Sequence, residues 1–426
     1  MSRPARSRPA LAVSVVLAGA LGAWFLFWTL VRFIADVQLL FVLALTLFGL
    51  SLMSAAGLLT PFAKPRRRDA ALSVVTGLVV TALLGFWLHG RYFAPWDLPL
   101  HSSKTEDGVL FVDLETGSRL AYQVYPPVGS SADGHLERPA IVFLHGGPGL
   151  PEWPRSAMVE ALNHAGFKVY AYQQFGAGLS SRAHRSHVEY TVERQVRDLE
   201  ALRQILGEER WIPIGQSWGG ALAAHYAASH PDRIASLILT APAPMWPPAF
   251  ESSPIRPHER LSEDQKQKLA ALVGPKIPRL AFHARLDGLN PAAADRLIGE
   301  DEMAAFVQAQ FAVTKTSLAC DPDRTRGLEF PGQAGLVNRR IFQDLGRIDD
   351  PRPGLGQVES PTLILQPECD FVDPEVVNDY LRHLPNAIRV RIAGAGHEIQ
   401  LERADAYQGE VLGFLDKALW LLRLTP

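Results

Sequence analysis

Trp211-Ile212-Pro213-Ile214 runs without a break into Gly215-Gln216-Ser217-Trp218-Gly219-Gly220, and Ala221 to His230 follows with helical composition. A short apolar strand, a tight Gly-x-Ser-x-Gly turn and a helix together describe a nucleophile elbow, which holds the serine hydroxyl at the top of a sharp bend. Few chain geometries admit such a bend. A serine hydroxyl is a weak nucleophile at neutral pH, so it needs a position that a base and an oxyanion hole can both reach. Gly215 and Gly219 leave that room. Five residues recur by chance, so the rest of the chain has to decide.

Upstream, Pro139 to Leu144 has the pattern of a buried strand and ends in His145-Gly146-Gly147-Pro148-Gly149, whose glycines let backbone amides approach a bound carbonyl. Downstream, Pro361 to Leu365 reads as another buried strand with Asp370 just beyond it. Ile388 to Ile392 alternates as a strand and leads to Gly394-Ala395-Gly396-His397. Serine, then aspartate, then histidine, each past a strand end, is the chain order of α/β-hydrolases. Asp373 competes with Asp370 as the acid and would otherwise cap the helix beginning near Pro374. His383, on an expected helix, competes with His397. His225, on the helix after the elbow, reads as a packed side chain. His184 and His187 could share a helical face toward a metal, but no cysteine or carboxylate stands near them in sequence, so they read as surface residues.

The His-Gly-Gly-Pro-Gly loop, the Gly-x-Ser-Trp-Gly-Gly elbow, Cys369-Asp370 and Gly396-His397 resemble the prolyl aminopeptidase (proline iminopeptidase) branch of the α/β-hydrolases, over roughly Gly108 to Leu419. The resemblance implies an α/β-hydrolase fold: a mostly parallel sheet with helices on both faces and a helical cap insertion. It implies Ser217 as nucleophile, Asp370 as orienting acid, His397 as general base, and Gly147 and Trp218 as oxyanion donors, with His145, Gly146, Pro148 and Gly149 supporting them. Where that branch reads Asp-Gln-Arg-Gly-x-Gly-x-Ser, this chain has Gln173-Gln174-Phe175-Gly176-Ala177-Gly178-Leu179-Ser180, so a carboxylate and a guanidinium are replaced. The branch holds its substrate's amino terminus with acidic cap residues, for which Glu300, Asp301 and Glu302 are candidates here. Hydrolysis of a small peptide at its amino terminus leads among the implied activities. Cleavage of small or amphiphilic esters is the rival, and a ligand-binding fold without catalysis is a further class. No cofactor or metal is expected, since no nucleotide-binding fingerprint follows a strand.

With 426 residues, 47% hydrophobic and 20% charged, the chain is long for one hydrolase domain and carries an apolar excess. The excess is concentrated at the front. Leu11 to Ile34 contains only Arg32 among charged types, and Val37 to Leu59 and Ala70 to Leu88 contain none. Each can cross about 30 Å of hydrocarbon, which takes roughly 20 helical residues. Arg3, Arg6 and Arg8 precede the first stretch, and Lys64, Arg66, Arg67 and Arg68 separate the second from the third. The positive-inside rule then predicts a multi-pass membrane protein with a cytoplasmic N-terminus and an extracytoplasmic hydrolase. A net charge of -2 and the place of these basic residues between apolar stretches favour lipid headgroups over nucleic acid. A cleavable signal ending near Ala18-Gly19-Ala20 is the alternative for the first stretch. Either version exports the catalytic part.

The expected organisation is a membrane region at 1–92, a linker at 93–105, hydrolase core at 106–242 and 351–426, and a cap at 243–350. Val109 to Asp113 and Arg119 to Tyr125 alternate as an antiparallel pair, Phe167 to Gln173 gives a strand, and Thr191 to Leu206 is helical by its apolar spacing. Helical patterns in the cap run over Ser262 to Leu272, Pro291 to Ile298 and Glu302 to Thr314. Cys320 and Cys369 both fall in the exported part, where a bond between them and two free thiols are both open. Composition leaves the natural substrate and the oligomeric state undetermined.

Overall fold

Apolar runs that alternate with amphipathic segments close into one eight-stranded sheet, ordered β1-β2-β4-β3-β5-β6-β7-β8 in space. The strands are β1 (Leu110–Asp113), β2 (Arg119–Tyr125), β3 (Ala140–Leu144), β4 (Val169–Tyr172), β5 (Trp211–Gln216), β6 (Leu237–Thr240), β7 (Thr362–Cys369) and β8 (Ala387–Gly396). β1 pairs antiparallel with β2, and β2 antiparallel with β4. Every later pairing is parallel. β4 and β6 are buried along their whole length, as expected of parallel strands covered on both faces. The computed structural model describes residues 7–59, 67–102, 107–128, 138–183, 189–330 and 332–424. Arg3, Arg6, Lys64, Arg66, His184 and His187 lie outside the described residues.

The pleat of β5 assigns the two faces of the sheet. Ile212 and Ile214 join a core cluster with Met158 and Leu162 of the helix Ser156–His164 and with Tyr407, Val411 and Leu415 of the C-terminal helix Ala404–Leu424. Trp211 points the other way and meets Tyr226 at 6.0 Å between ring centroids, on the helix Trp218–Ser229 that follows the elbow. Burying such side chains stabilises by about 1.5–3 kcal/mol each. The helix Val192–Ile205 begins where the Thr191 side chain accepts the Arg194 amide and buries Val192, Val196, Leu199 and Leu202, three or four residues apart.

The chain divides into two compact units, one of residues 1–97 with 274–299 and one of 98–273 with 300–426. The first contains α1 (Ser7–Leu30), α2 (Val37–Leu59) and α3 (Arg67–Tyr92), with three stretches long and apolar enough to cross a membrane. Glycines let these helices approach closely: a Cβ on Gly19 would stand 2.1 Å from Ser51 Oγ, and one on Gly85 2.5 Å from a Leu45 methyl. Two further helices complete the unit, Ile277–Asp287 and Pro291–Leu297. Phe282 packs among Phe27, Trp28, Tyr92 and Phe93 at 5.6–5.9 Å between centroids. The Arg285 guanidinium lies 4.5 Å from the Trp28 ring centre, and Asn290 donates to the Val31 carbonyl at 2.8 Å. Part of the stretch expected to form the cap therefore groups with the membrane-type helices. In the second unit, Glu263–Val273, Glu300–Thr314 and Gly335–Leu345 are the longer helices between β6 and β7.

Candidate active site

Gly215 and Gly219 are required by close backbone approach. A Cβ on Gly219 would sit 2.0 Å from the Leu144 carbonyl oxygen, and one on Gly215 2.2 Å from that of Gly219. Between them Ser217 takes φ 53° and ψ −117°, a left-handed conformation that a non-glycine residue holds only at a cost of about 1–3 kcal/mol. The surroundings fix it: the Ser217 amide donates to the Thr240 carbonyl at 2.9 Å, and its own carbonyl accepts from the Ala243 amide at 3.0 Å. The Trp218 amide opens the following helix, where backbone donors lack intrahelical partners.

The loop after β3 lies against this elbow. A Cβ on Gly146 would meet Gln216 Oε1 at 2.3 Å, and Gly147 and Gly149 have φ of 112° and 81°. Asn338 donates to the Pro148 carbonyl at 3.0 Å, and the Gly149 carbonyl accepts from the Ala334 amide at 2.9 Å. His145 holds the loop from beneath. Its Nε2 accepts the Gln174 amide at 3.0 Å, which leaves Nδ1 to donate to the Gly146 carbonyl at 3.0 Å. Burial lowers its pKa to about 4, against a weaker opposite effect of the Gly146 hydrogen bond. The ring is therefore neutral and serves as a strut. Gln174 closes the network by donating to the His145 carbonyl and accepting from the Trp218 indole at 2.8 Å.

β7 ends at Cys369 and β8 at Gly396, and the residues that follow meet: His397 Nδ1 stands 2.8 Å from Asp370 Oδ1. The same carboxylate oxygen accepts the Val372 amide at 3.0 Å, and the Phe371 ring lies 4.2 Å from the imidazole. Burial pulls the His397 pKa down, but the Asp370 charge, its hydrogen bond and the Glu398 charge together outweigh this and leave it raised. Cys320 and Cys369 form a disulfide that ties this loop to the segment before Pro322. Glu402 accepts the amides of Cys320, Asp321 and Gly396 at 2.7–2.9 Å, which knits the same corner together. Ser217 and His397 line one cavity of about 410 Å³, with Gly147 on its wall. Leu269, Val307, Phe311, Phe342 and Phe371 make most of that wall apolar.

Residues 139–404 match the α/β hydrolase fold family. This chain belongs to that family. It is 38% identical over 281 residues to a probable proline iminopeptidase of Leptolyngbya boryana, covering 61% of this chain and 81% of the relative. It is 28% identical to a proline iminopeptidase of Lactobacillus helveticus, over 66% of this chain and 91% of the relative. A solved proline iminopeptidase of Mycobacterium smegmatis is similar at 20% identity with a TM-score of 0.45, covering 73% of this chain and 98% of that one. The chain is an α/β-hydrolase of the proline iminopeptidase type.

The rivals considered from sequence have other occupations in this hydrolase. Asp373 accepts the Glu375 amide at 2.9 Å at the start of the helix Glu375–His383. His383 Nδ1 meets the Asp379 carbonyl at 2.8 Å, and buried His225 donates from Nε2 to the Met245 carbonyl at 2.8 Å. At the positions that depart from the branch, Gln173 Oε1 accepts the Leu179 amide at 2.6 Å and closes the turn, while Phe175 packs on Tyr190 and under the Arg194 guanidinium. An amide and a ring thus fill the places of the missing carboxylate and guanidinium. Glu300 accepts the amides of Gly335 and Leu336, at the start of a helix, and burial raises its pKa to about 7. Neither it nor Asp301 or Glu302 lines the Ser217 cavity. Among the described lining residues the carboxylate is Glu398, which the sequence pattern did not single out. Its signal was position alone: it follows His397 directly, and its hydrogen-bond partner Gln216 directly precedes Ser217.

Proposed function

We propose that this chain is a membrane-anchored serine hydrolase that works through an acyl-enzyme and removes residues from the amino termini of small peptides. The observation that carries the reading is the 2.8 Å contact of His397 with Asp370 beside a cavity shared by His397 and the strained Ser217. With Nδ1–H held by Asp370, His397 Nε2 is left to take the Ser217 proton as Oγ attacks the carbonyl carbon. The carbonyl oxygen becomes an oxyanion facing the Gly147 and Trp218 amides. The imidazolium returns its proton to the leaving amine, the C–N bond breaks, and water deprotonated by the same imidazole releases the acyl group. The names of the relatives favour an aminopeptidase. The apolar cavity wall favours a second reading, an esterase that takes an acyl chain.

The anchoring reading rests on the three apolar helices, and the basic residues beside them favour a cytoplasmic N-terminus with the hydrolase outside. A disulfide between Cys320 and Cys369 agrees with an oxidising compartment. Prolyl and alanyl chromogenic amides, their N-acetyl forms and simple acyl esters, assayed side by side, test the substrate class. The aminopeptidase reading expects N-acetylation to abolish hydrolysis of the amides. Equal rates with and without the acetyl group would overturn it in favour of the esterase.

A further inference from the structure

The first unit contains a cavity of about 530 Å³ that the hydrolase chemistry does not use. It runs along α1 from Ala20 to Trp28, along α2 from Phe41 to Phe48 and along α3 from Leu84 to Tyr92. Eight residues of helix advance about 12 Å, close to the roughly 15 Å of hydrocarbon in one leaflet. Trp28 and Tyr92 stand at one end, with Phe282 packed on both, and these ring types collect at membrane–water interfaces. A second cavity, of about 270 Å³, adjoins the same end, because Phe93 lines both. Here the lining turns polar: Asp36, Gln38 and Arg296 join Val37 and Leu297. Asp36 accepts the Leu39 amide at 2.9 Å with Oδ1, which caps α2 and leaves Oδ2 to accept from elsewhere. Arg296 is exposed and has no ion-pair partner among the described residues. One carboxylate and one guanidinium thus share a recess without pairing, at the end of an apolar cavity one leaflet deep.

We propose that the first unit binds a bilayer phospholipid with a phosphoethanolamine head, its acyl chain in the aromatic cavity, its phosphate at Arg296 and its ammonium at Asp36. A guanidinium matches phosphate oxygens, and the free carboxylate oxygen accepts an ammonium N–H. A fatty acid would set its carboxylate beside that of Asp36. A glycerol-headed lipid would leave Asp36 without a cation, and a choline head has no N–H to donate. Soluble phosphoethanolamine would leave the apolar cavity unfilled. The site rests on the membrane-anchored reading and is independent of the chemistry at Ser217.

Native mass spectrometry of the full-length protein in detergent tests this, with equimolar phosphatidylethanolamine, phosphatidylglycerol and phosphatidylcholine of identical acyl chains as probes. The ethanolamine lipid should bind about tenfold in excess over either of the others, the effect of one charge-assisted hydrogen bond. Asp36→Asn keeps a side chain able to cap α2 and should erase that excess. Arg296→Gln should lower the adducts of all three lipids by about tenfold, since each carries the phosphate. Ala44→Phe, which fills the apolar cavity, should lower all three as well. Equal binding of the three lipids by the parent, an excess that survives Asp36→Asn, or adducts that Arg296→Gln leaves unchanged would overturn the site. Flotation with vesicles of the ethanolamine lipid separates this result from the anchoring reading. A protein that floats without a lipid preference loses the site and keeps its anchor, whereas one that stays in the aqueous layer loses both.

Discussion

In the proposed mechanism Asp370 sets the working range of the base, His397. Burial alone would depress the His397 pKa; the carboxylate reverses this and holds it above the ordinary 6.5. His397 must be neutral to accept a proton, so the acid limb of the kcat/KM profile should lie above pH 6.5. In Asp370→Asn the leading raising effects vanish and burial remains. Activity should then fall by about 10³–10⁴-fold and the residual acid limb should move to lower pH. A pH–rate profile of the two proteins checks this, and an unmoved limb would separate Asp370 from the base. The positions of Ser217, Asp370 and His397 at strand ends were legible because sequence alone delineates the apolar strands before the first two and the alternating strand before the third. The approach of Glu398 to the Ser217 cavity was not, because it depends on the segment after β8 reaching past β6 and β7 to the end of β5, where Gln216 contacts it.

At the level of elements, strong periodicity was readable. The helix at Val192–Ile205 and the apolar helix Val37–Leu59 fall within a residue of their expected limits. Ile277–Asp287 carries no such signal, since Pro278 and three basic residues interrupt its pattern, and its buried face is defined by aromatic neighbours distant in sequence. Gly335–Leu345 was missed as well, having no side-chain cap at Ala334 to announce it. The close approach of α1 and α2 makes a test within the first unit. A side chain at Gly19 would collide with Ser51, so Gly19→Leu should destabilise that helix pair by about 1–3 kcal/mol. Thermal melting of the helical signal in detergent reads this, and an unchanged midpoint would mean that α1 and α2 do not pack as described.

For the molecule as a whole, buried neutral histidines make stability depend on acid. Burial lowers the His225 pKa to about 4 from 6.5, against the opposing hydrogen bond to Met245. Between these values the unfolded chain binds a proton that the folded one refuses, so the His225 contribution falls as pH drops from 6.5 toward 4. The full loss approaches about 3 kcal/mol. In His225→Gln, denaturant unfolding should show a shallower decline over that range than in the parent. An identical pH dependence would mean that His225 is not buried in neutral form.

The account stands on Ser217 as a nucleophile activated by His397. Labelling the full-length protein with a fluorophosphonate and mapping the adduct by mass spectrometry tests that most directly. A single adduct on Ser217, absent from Ser217→Ala and strongly reduced in His397→Ala, is the expected result. An unlabelled parent protein, or an adduct on another residue that persists in both variants, would contradict it.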